Sequence, residues 1–187
     1  MGTFTPLTNQ FLIAMPALAD PNFSRTVTLI CDHSPEGALG VVINRPMDLV
    51  LGDLLEQLDV DTALARNTQA GIQYGGPVQN NRGFVLHEPV GHWESTLAIS
   101  ETLGLTTSQD ILHAIAEDQG PDNWLVALGY AGWGAGQLEQ ELADNAWLNG
   151  PADSRILFHV PLDQRWRAAA AHLGVDLGSL HGDAGHA

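Results

Sequence analysis

Thr26-Val27-Thr28-Leu29-Ile30-Cys31, then Asp32-His33-Ser34-Pro35-Glu36-Gly37, then Ala38-Leu39-Gly40-Val41-Val42-Ile43-Asn44: this stretch decides the fold. The outer runs are apolar and rich in β-branched side chains, which fit a pleated, half-buried surface. The middle run concentrates turn formers. Two strands about such a turn fold back as an antiparallel hairpin, with Cys31 opposite about Ala38 and the turn between Asp32 and Gly37.

Upstream, Gln10-Phe11-Leu12-Ile13-Ala14-Met15 is a short apolar run closed by Pro16, a further strand. Downstream, Leu51, Leu54, Leu55 and Leu58 recur at helical spacing and predict a helix from about Leu51 to Asp59. Strand runs follow at Ile72–Tyr74, at Gly75-Gly76-Pro77-Val78 and, after a turn at Asn80-Asn81, at Gly83–His87; Thr96–Ser100 reads the same way. A helix is expected over about Thr107–Gln119, with Thr106 and Gln109 as a capping box and Gly120-Pro121 as its stop. Trp124–Gly129 reads as a central strand and Gly132-Trp133-Gly134-Ala135-Gly136 as a loop leading into a helix with Leu138 and Leu142 inward. Arg155–Val160 reads as the last strand. Leu162, Trp166, Ala169 and Leu173 mark a closing helix ended by Gly174, before a loosely ordered tail over 175–187. Hairpins come first and helices are scattered without repeats. That pattern predicts an α+β fold, a mixed, largely antiparallel sheet with interspersed helices, formed by residues 1–187 as one domain.

Length and composition agree with that. A chain of 187 residues suits one domain, which buries roughly 70% of its unfolded surface without needing a disulfide or metal staple. There are 22 acidic residues against seven arginines and no lysine, a formal charge of −15. Such a field repels phosphate backbones, and no segment carries a basic stripe, so direct nucleic-acid binding is not expected. The missing lysine removes Schiff-base chemistry and the phosphate lysine of a P-loop. Nothing approaches the 18 or so apolar residues of a spanning helix. Met1–Pro6 has neither the basic segment nor the apolar run of an export signal, so a cytoplasmic protein is expected.

Several runs resemble those of a known family. Phe11–Pro16, Phe23 with Arg25-Thr26-Val27, Cys31-Asp32-His33, and Gly40 through Asn44-Arg45-Pro46 are similar to the opening of YqgE/AlgH proteins. Gly75-Gly76-Pro77-Val78, Gly129-Tyr130-Ala131-Gly132-Trp133, Gly136-Gln137-Leu138-Glu139 and the closing Gly185-His186-Ala187 match it in order. Val50 departs from the pattern, standing where the family often has a Ser or Thr able to cap the following helix. The resemblance implies a compact α+β fold of bacterial cytoplasmic proteins without an established activity, some of them labelled transcriptional regulators. Nothing in these residues supports DNA contact.

Two constellations could carry chemistry. Cys31 ends an apolar strand, and His33, two residues on, shares its face if the strand runs straight. An imidazolium there would turn the thiol into a reactive thiolate. The plainer reading is a core thiol, since free cysteines are among the most buried residues. The second group comes from counting the hairpin, which places Arg25 near Asn44 and Arg45 at its open end. A planar guanidinium fork suits a carboxylate or phosphate. Gly75 and Gly76 could bring backbone close to it, whereas Asp20, Asp48 or Asp53 could instead neutralise the arginines as structural ion pairs. Six residues at about 3.3 Å each, roughly 20 Å, separate Cys31 from Arg25, so the two groups cannot be one site.

Other motifs read as structural. The glycines at 132–136 fit neither the dinucleotide fingerprint nor a P-loop, and Glu139 and Glu141 in the following helix would repel a phosphate. His87 and His92 are five apart with Pro89 and Gly91 between them, which forbids a zinc-protease helix; they read as surface histidines in a loop. His181, Asp183 and His186 make a poor metal site in an acidic tail. One cysteine excludes a thiolate cluster. No cofactor and no metal is therefore expected. A non-catalytic binding or regulatory protein with a protein or small-molecule partner leads. An enzyme or redox-responsive protein using Cys31 or the arginine group is the alternative, and a DNA-binding regulator is third.

Overall fold

A computed structural model describes residues 4–178; the tail positions His181, Asp183 and His186 lie outside them. The expected hairpin forms between β2 (Val27–Ser34) and β3 (Gly37–Val42), and β1 (Gln10–Ala14) pairs with the other edge of β2. The chain continues through β4 (Pro46–Val50), α1 (Leu51–Gln57), β5 (Gly71–Tyr74), β6 (Val78–Glu88), β7 (Thr96–Ala98), β8 (Gly104–Thr106) and α2 (Asp110–Ala116). It closes with β9 (Asn123–Gly134), α3 (Gln137–Ala143), β10 (Trp147–Pro151), α4 (Ser154–Phe158), a 3-10 turn at Leu162–Gln164 and α5 (Arg165–His172).

All ten strands join one sheet in the order β10-β1-β2-β3-β9-β6-β8-β7, with β4 and β5 branching from it. The pairing is antiparallel except where β5 lies parallel to β9, Gln73 beside Ala127. Alternation along the strands builds a core on each face. Leu125 and Ala127 of β9 join Phe11, Leu29, Val41 and Leu86 under α4 and α5, while Val126 and Leu128 join Leu55 and Ile72 under α1 and α2. Gly129 breaks the count. Its φ of +80° suits glycine, and past it Ala131 and Trp133 turn into a third cluster with Leu12, Ile30, Leu138 and Trp147 beneath α3.

Several expectations are corrected. The hairpin register is shifted, because β2 carries a bulge between Ile30 and Asp32: His33, not Cys31, pairs with Ala38, and the turn is only Pro35-Glu36. Arg155–Val160 is not a strand. Asp153 accepts a hydrogen bond from the Ile156 amide at 3.1 Å and caps α4, so Ile156 and Leu157 reach the core from a helix. The edge place beside β1 goes to β10, Trp147–Pro151, in register from Gln10↔Pro151 to Ala14↔Trp147. The Thr106–Gln109 capping box does not form, since Thr106 belongs to β8 and α2 starts at Asp110. The expected loop at 132–136 is largely strand, because β9 runs to Gly134; Gly136, at φ +76°, opens α3. Val50 has no side-chain acceptor to cap α1, and the Asp53 carboxylate instead accepts from the Val50 amide at 3.1 Å.

Candidate functional site

The segment before β2 is stapled by the two residues that follow Ile43. Asn44 accepts from the Val27 amide through Oδ1 and donates through Nδ2 to the Arg25 carbonyl, both at 2.9 Å. Arg45 donates from Nη1 to the Pro21 carbonyl at 2.6 Å and from Nη2 to the Ser24 carbonyl at 3.1 Å. Arg25 turns the chain into β2 at a φ of 57° and lays its guanidinium 5.6 Å from the Trp166 ring centroid. The grouping of Arg25, Asn44 and Arg45 is thus physical, and Asn44 is wholly engaged in holding backbone.

α5 completes the group. Trp166 donates its indole N–H to the Ala14 carbonyl at 2.9 Å, which fixes the ring that Arg25 covers. Arg165 is buried and donates to the carbonyls of Val160 and Ile43 at 2.8 and 2.6 Å. Burial pulls its pKa down to about 10, so it stays charged at neutral pH. Arg167 stands beside Trp166 at the surface. A groove of about 300 Å³ runs between Ser24, Arg25, Arg45, Asp163, Trp166 and Arg167. A smaller hollow of about 120 Å³ shares Arg25, Trp166 and Arg167 and reaches Leu177.

The charge here is unneutralised. Among the described residues no carboxylate comes within 4.0 Å of any arginine; the ion pairs involve only His33 with Glu139 and His172 with Asp153. Asp20 accepts from the Asn22 amide and Asp53 from the Val50 amide, so neither serves as the expected neutraliser, and Asp48 forms no ion pair. Arg167 and Trp166 were not foreseen. The signal was available: Arg165 and Arg167 are two of only seven basic residues and flank a tryptophan.

Gly75 and Gly76 lie elsewhere. The Gly75 carbonyl accepts from Val42 and its amide donates to Leu128, at 2.9 and 2.8 Å. A side chain on Gly76 would run into the Tyr130 backbone. These glycines permit close strand contact and do not line the groove; the nearest link is the Tyr74 amide, which donates to the Arg45 carbonyl at 2.7 Å.

Cys31 and His33 do not share a face. The bulge flips the alternation between them, leaving Cys31 in the α4–α5 core with its thiol 3.7 Å from the Leu29 carbonyl. Burial, and then the neighbouring Asp32 charge, push the thiol pKa far up. His33 sits toward α3. Its Nδ1 accepts from the Leu7 amide at 2.9 Å, so Nε2 carries the proton and donates to Glu139 at 2.5 Å. His87 is buried, not a surface loop residue: Nδ1 donates to the Pro89 carbonyl at 2.9 Å and Nε2 accepts from Thr106 at 2.7 Å. Only His92 of that pair is exposed. Glu141 lies beyond the first turn of α3 and accepts from two indoles. Among the described residues no cluster of three His, Cys, Asp or Glu side chains could hold a metal, and no helix is long and apolar enough to cross a membrane.

One largely antiparallel sheet, helices on both faces and an arginine groove beside a buried tryptophan define an α+β domain of a recognisable kind. The chain belongs to the AlgH-like family, DUF179, whose model matches residues 11–178. A UPF0301 protein of Thioalkalivibrio sulfidiphilus is 61% identical over 187 residues, all of both chains. One from Nitrosococcus oceani is 53% identical, again over the whole of each. The solution structure of AlgH from Pseudomonas aeruginosa superposes with a TM-score of 0.81 at 52% identity, over 97% of this chain and 96% of that one. A Corynebacterium diphtheriae protein, DIP2367, shares the fold at a TM-score of 0.74 and 20% identity, over 96% and 94% of the two chains.

Proposed function

We propose that this chain is a non-catalytic binding protein, of the kind a regulatory step requires, and that it takes a small anion or a peptide carboxylate in the groove of Arg25, Arg45 and Arg167. One observation carries the reading. On a chain of net charge −15, four of seven basic side chains, Arg165 included, meet at one place without a described carboxylate within 4.0 Å. Holding uncompensated positive charges together costs free energy, which a bound anion offsets. Arg45 has engaged two of its five donors, and the guanidinium groups of Arg25 and Arg167 have no described hydrogen-bond partner, so donors remain for a fork-shaped contact.

The enzyme alternative has less behind it. Cys31 is buried in the α4–α5 core and lines neither the groove nor the smaller hollow beside it, and Asp163 is the one carboxylate lining the groove. The net charge of −15 disfavours nucleic acid as the ligand. A single, unpaired, buried cysteine suits a reducing compartment, so we place the protein in the cytoplasm.

Calorimetric titration with citrate and with inorganic phosphate, at about 50 mM salt, tests the reading. Saturable binding that weakens about tenfold in Arg167→Ala, and fades as salt rises, is expected. Arg167 holds no backbone, so that variant should fold normally. Absence of saturation, or binding indifferent to Arg167→Ala and Arg25→Ala alike, would remove the proposal.

A further inference from the structure

A second hollow is independent of the arginine groove and shares no lining residue with it. It is built on an irregularity in β6. Val78 pairs with Tyr130 of β9 and pairing resumes at Gly83 with Leu128, so five steps along β6 match two along β9. Gln79-Asn80-Asn81-Arg82 is therefore an excursion without ladder partners, exposed throughout. It is seated, not loose: it rests on Gly129, where an added Cβ would lie 3.0 Å from the Asn80 Cα.

The excursion carries one charge over an apolar floor. The Arg82 guanidinium lies 5.7 Å from the Phe84 ring centroid, and its one described hydrogen bond is a long 3.4 Å contact to Gln79. Beside it a hollow of about 460 Å³ opens between α1, α2 and β6, floored by Leu54, Leu58, Val85 and Leu112. Asn81 and Gln109 stand at its edge, and neither side chain has a described hydrogen-bond partner. No Asp or Glu lines this hollow, although the chain has 22 of them.

We propose that this hollow binds an amphipathic monocarboxylate, with the aliphatic body on the Leu54–Leu58–Val85–Leu112 floor and the carboxylate on Arg82, Asn81 and Gln109. The volume falls within the roughly 300–1,000 Å³ of small-molecule sites, and an apolar floor with a few polar groups at one end is their common form. The head is a monoanion because one guanidinium fork matches one carboxylate, and a dianion would meet the surrounding negative field with a single compensating charge. A further hollow of about 500 Å³ on the other side of Arg82, lined by Phe84, Leu97, Leu105 and Tyr130, has Gln79 as its one side-chain amide, and that amide's oxygen already accepts from Arg82; Asn81 and Gln109 line the first hollow and not this one.

The test is decanoate titrated into the ¹⁵N-labelled chain, with decanol as a neutral control, followed by amide shifts. Saturable shifts confined to residues 79–85 and 107–112 and to α1 are expected. Arg82→Ala should weaken decanoate at least tenfold and leave decanol, already the weaker ligand, unchanged. Leu58→Asn should weaken both, and Arg167→Ala neither, which separates this site from the arginine groove. The proposal is overturned by shifts centred on Leu97 and Tyr130 or on Arg25 and Arg167, by decanoate binding indifferent to Arg82→Ala, or by no saturation at about 5 mM.

Discussion

Glu141 offers a quantitative check on how the sheet is held. Its Oε1 accepts from the indole N–H of Trp133 and of Trp147, both at 3.0 Å, and its Oε2 accepts from Gln137 at 2.9 Å. Trp133 is on β9 and Trp147 on β10, four places apart in the sheet. At about 4.8 Å per strand a flat sheet would separate those strands by roughly 19 Å. The ring centroids are 6.3 Å apart, edge to face, so the sheet curls here and both side chains lean inward to one carboxylate. Glu141→Ala leaves two indole donors without a partner in a cluster where Trp133 and Trp147 are 6% and 4% exposed. An orphaned buried donor costs about 1–3 kcal/mol, and the half-buried position of Glu141 lets water recover part of that, so about 2–4 kcal/mol is expected for the pair. For a domain of this size that is a fall in Tm of roughly 4–16 °C. Glu141→Gln keeps one acceptor oxygen and should cost about 1 kcal/mol. Urea unfolding followed by tryptophan fluorescence, with near-ultraviolet circular dichroism for the indole environment, measures both. A Glu141→Ala variant within about 0.5 kcal/mol of the parent would refute the clasp as a stabilising element.

Two further outcomes follow from buried groups. Cys31 should resist iodoacetamide at neutral pH in the folded chain and react fully in urea, because burial first and Asp32 second hold its thiol protonated; stoichiometric labelling of the native protein would contradict this. His87 has its pKa lowered from 6.5, chiefly by desolvation, so the folded chain favours the neutral ring. Its contribution to stability is present above about pH 6.5 and is lost as pH falls through the lower folded value, since the unfolded chain then binds the proton more readily. Urea midpoints measured from pH 7.5 down to 5 should decline less steeply in His87→Asn than in the parent; parallel slopes would rule out His87 as a source of the decline.

The hairpin was legible because both its strands alternate and its turn residues are unambiguous. What hid was the extra residue at Cys31, since a bulge leaves no mark on composition yet moves His33 to the other face. β10 was missed because Trp147-Leu148-Asn149-Gly150-Pro151 has no period of its own; its strand character comes from pairing with β1 across most of the chain. Ile156-Leu157-Phe158 reads equally as strand or helix, and the Asp153 cap decided between them. At the candidate site, Arg25, Asn44 and Arg45 could be grouped by counting along one hairpin. Arg167 is brought there by the packing of α5, a tertiary event that no local count reaches.

The switch of face at Gly129 also bears on how the molecule comes apart. Because of it, β9 contributes Leu125 and Ala127 to one core, Val126 and Leu128 to a second, and Ala131 and Trp133 to a third, while pairing with β3, β5 and β6. An opening that frees β9 must disturb all three cores and three strand ladders together. Its amides therefore belong to the slowest-exchanging class, reached only by global unfolding, whereas the short edge strand β7, which pairs with β8 alone, can detach at little cost.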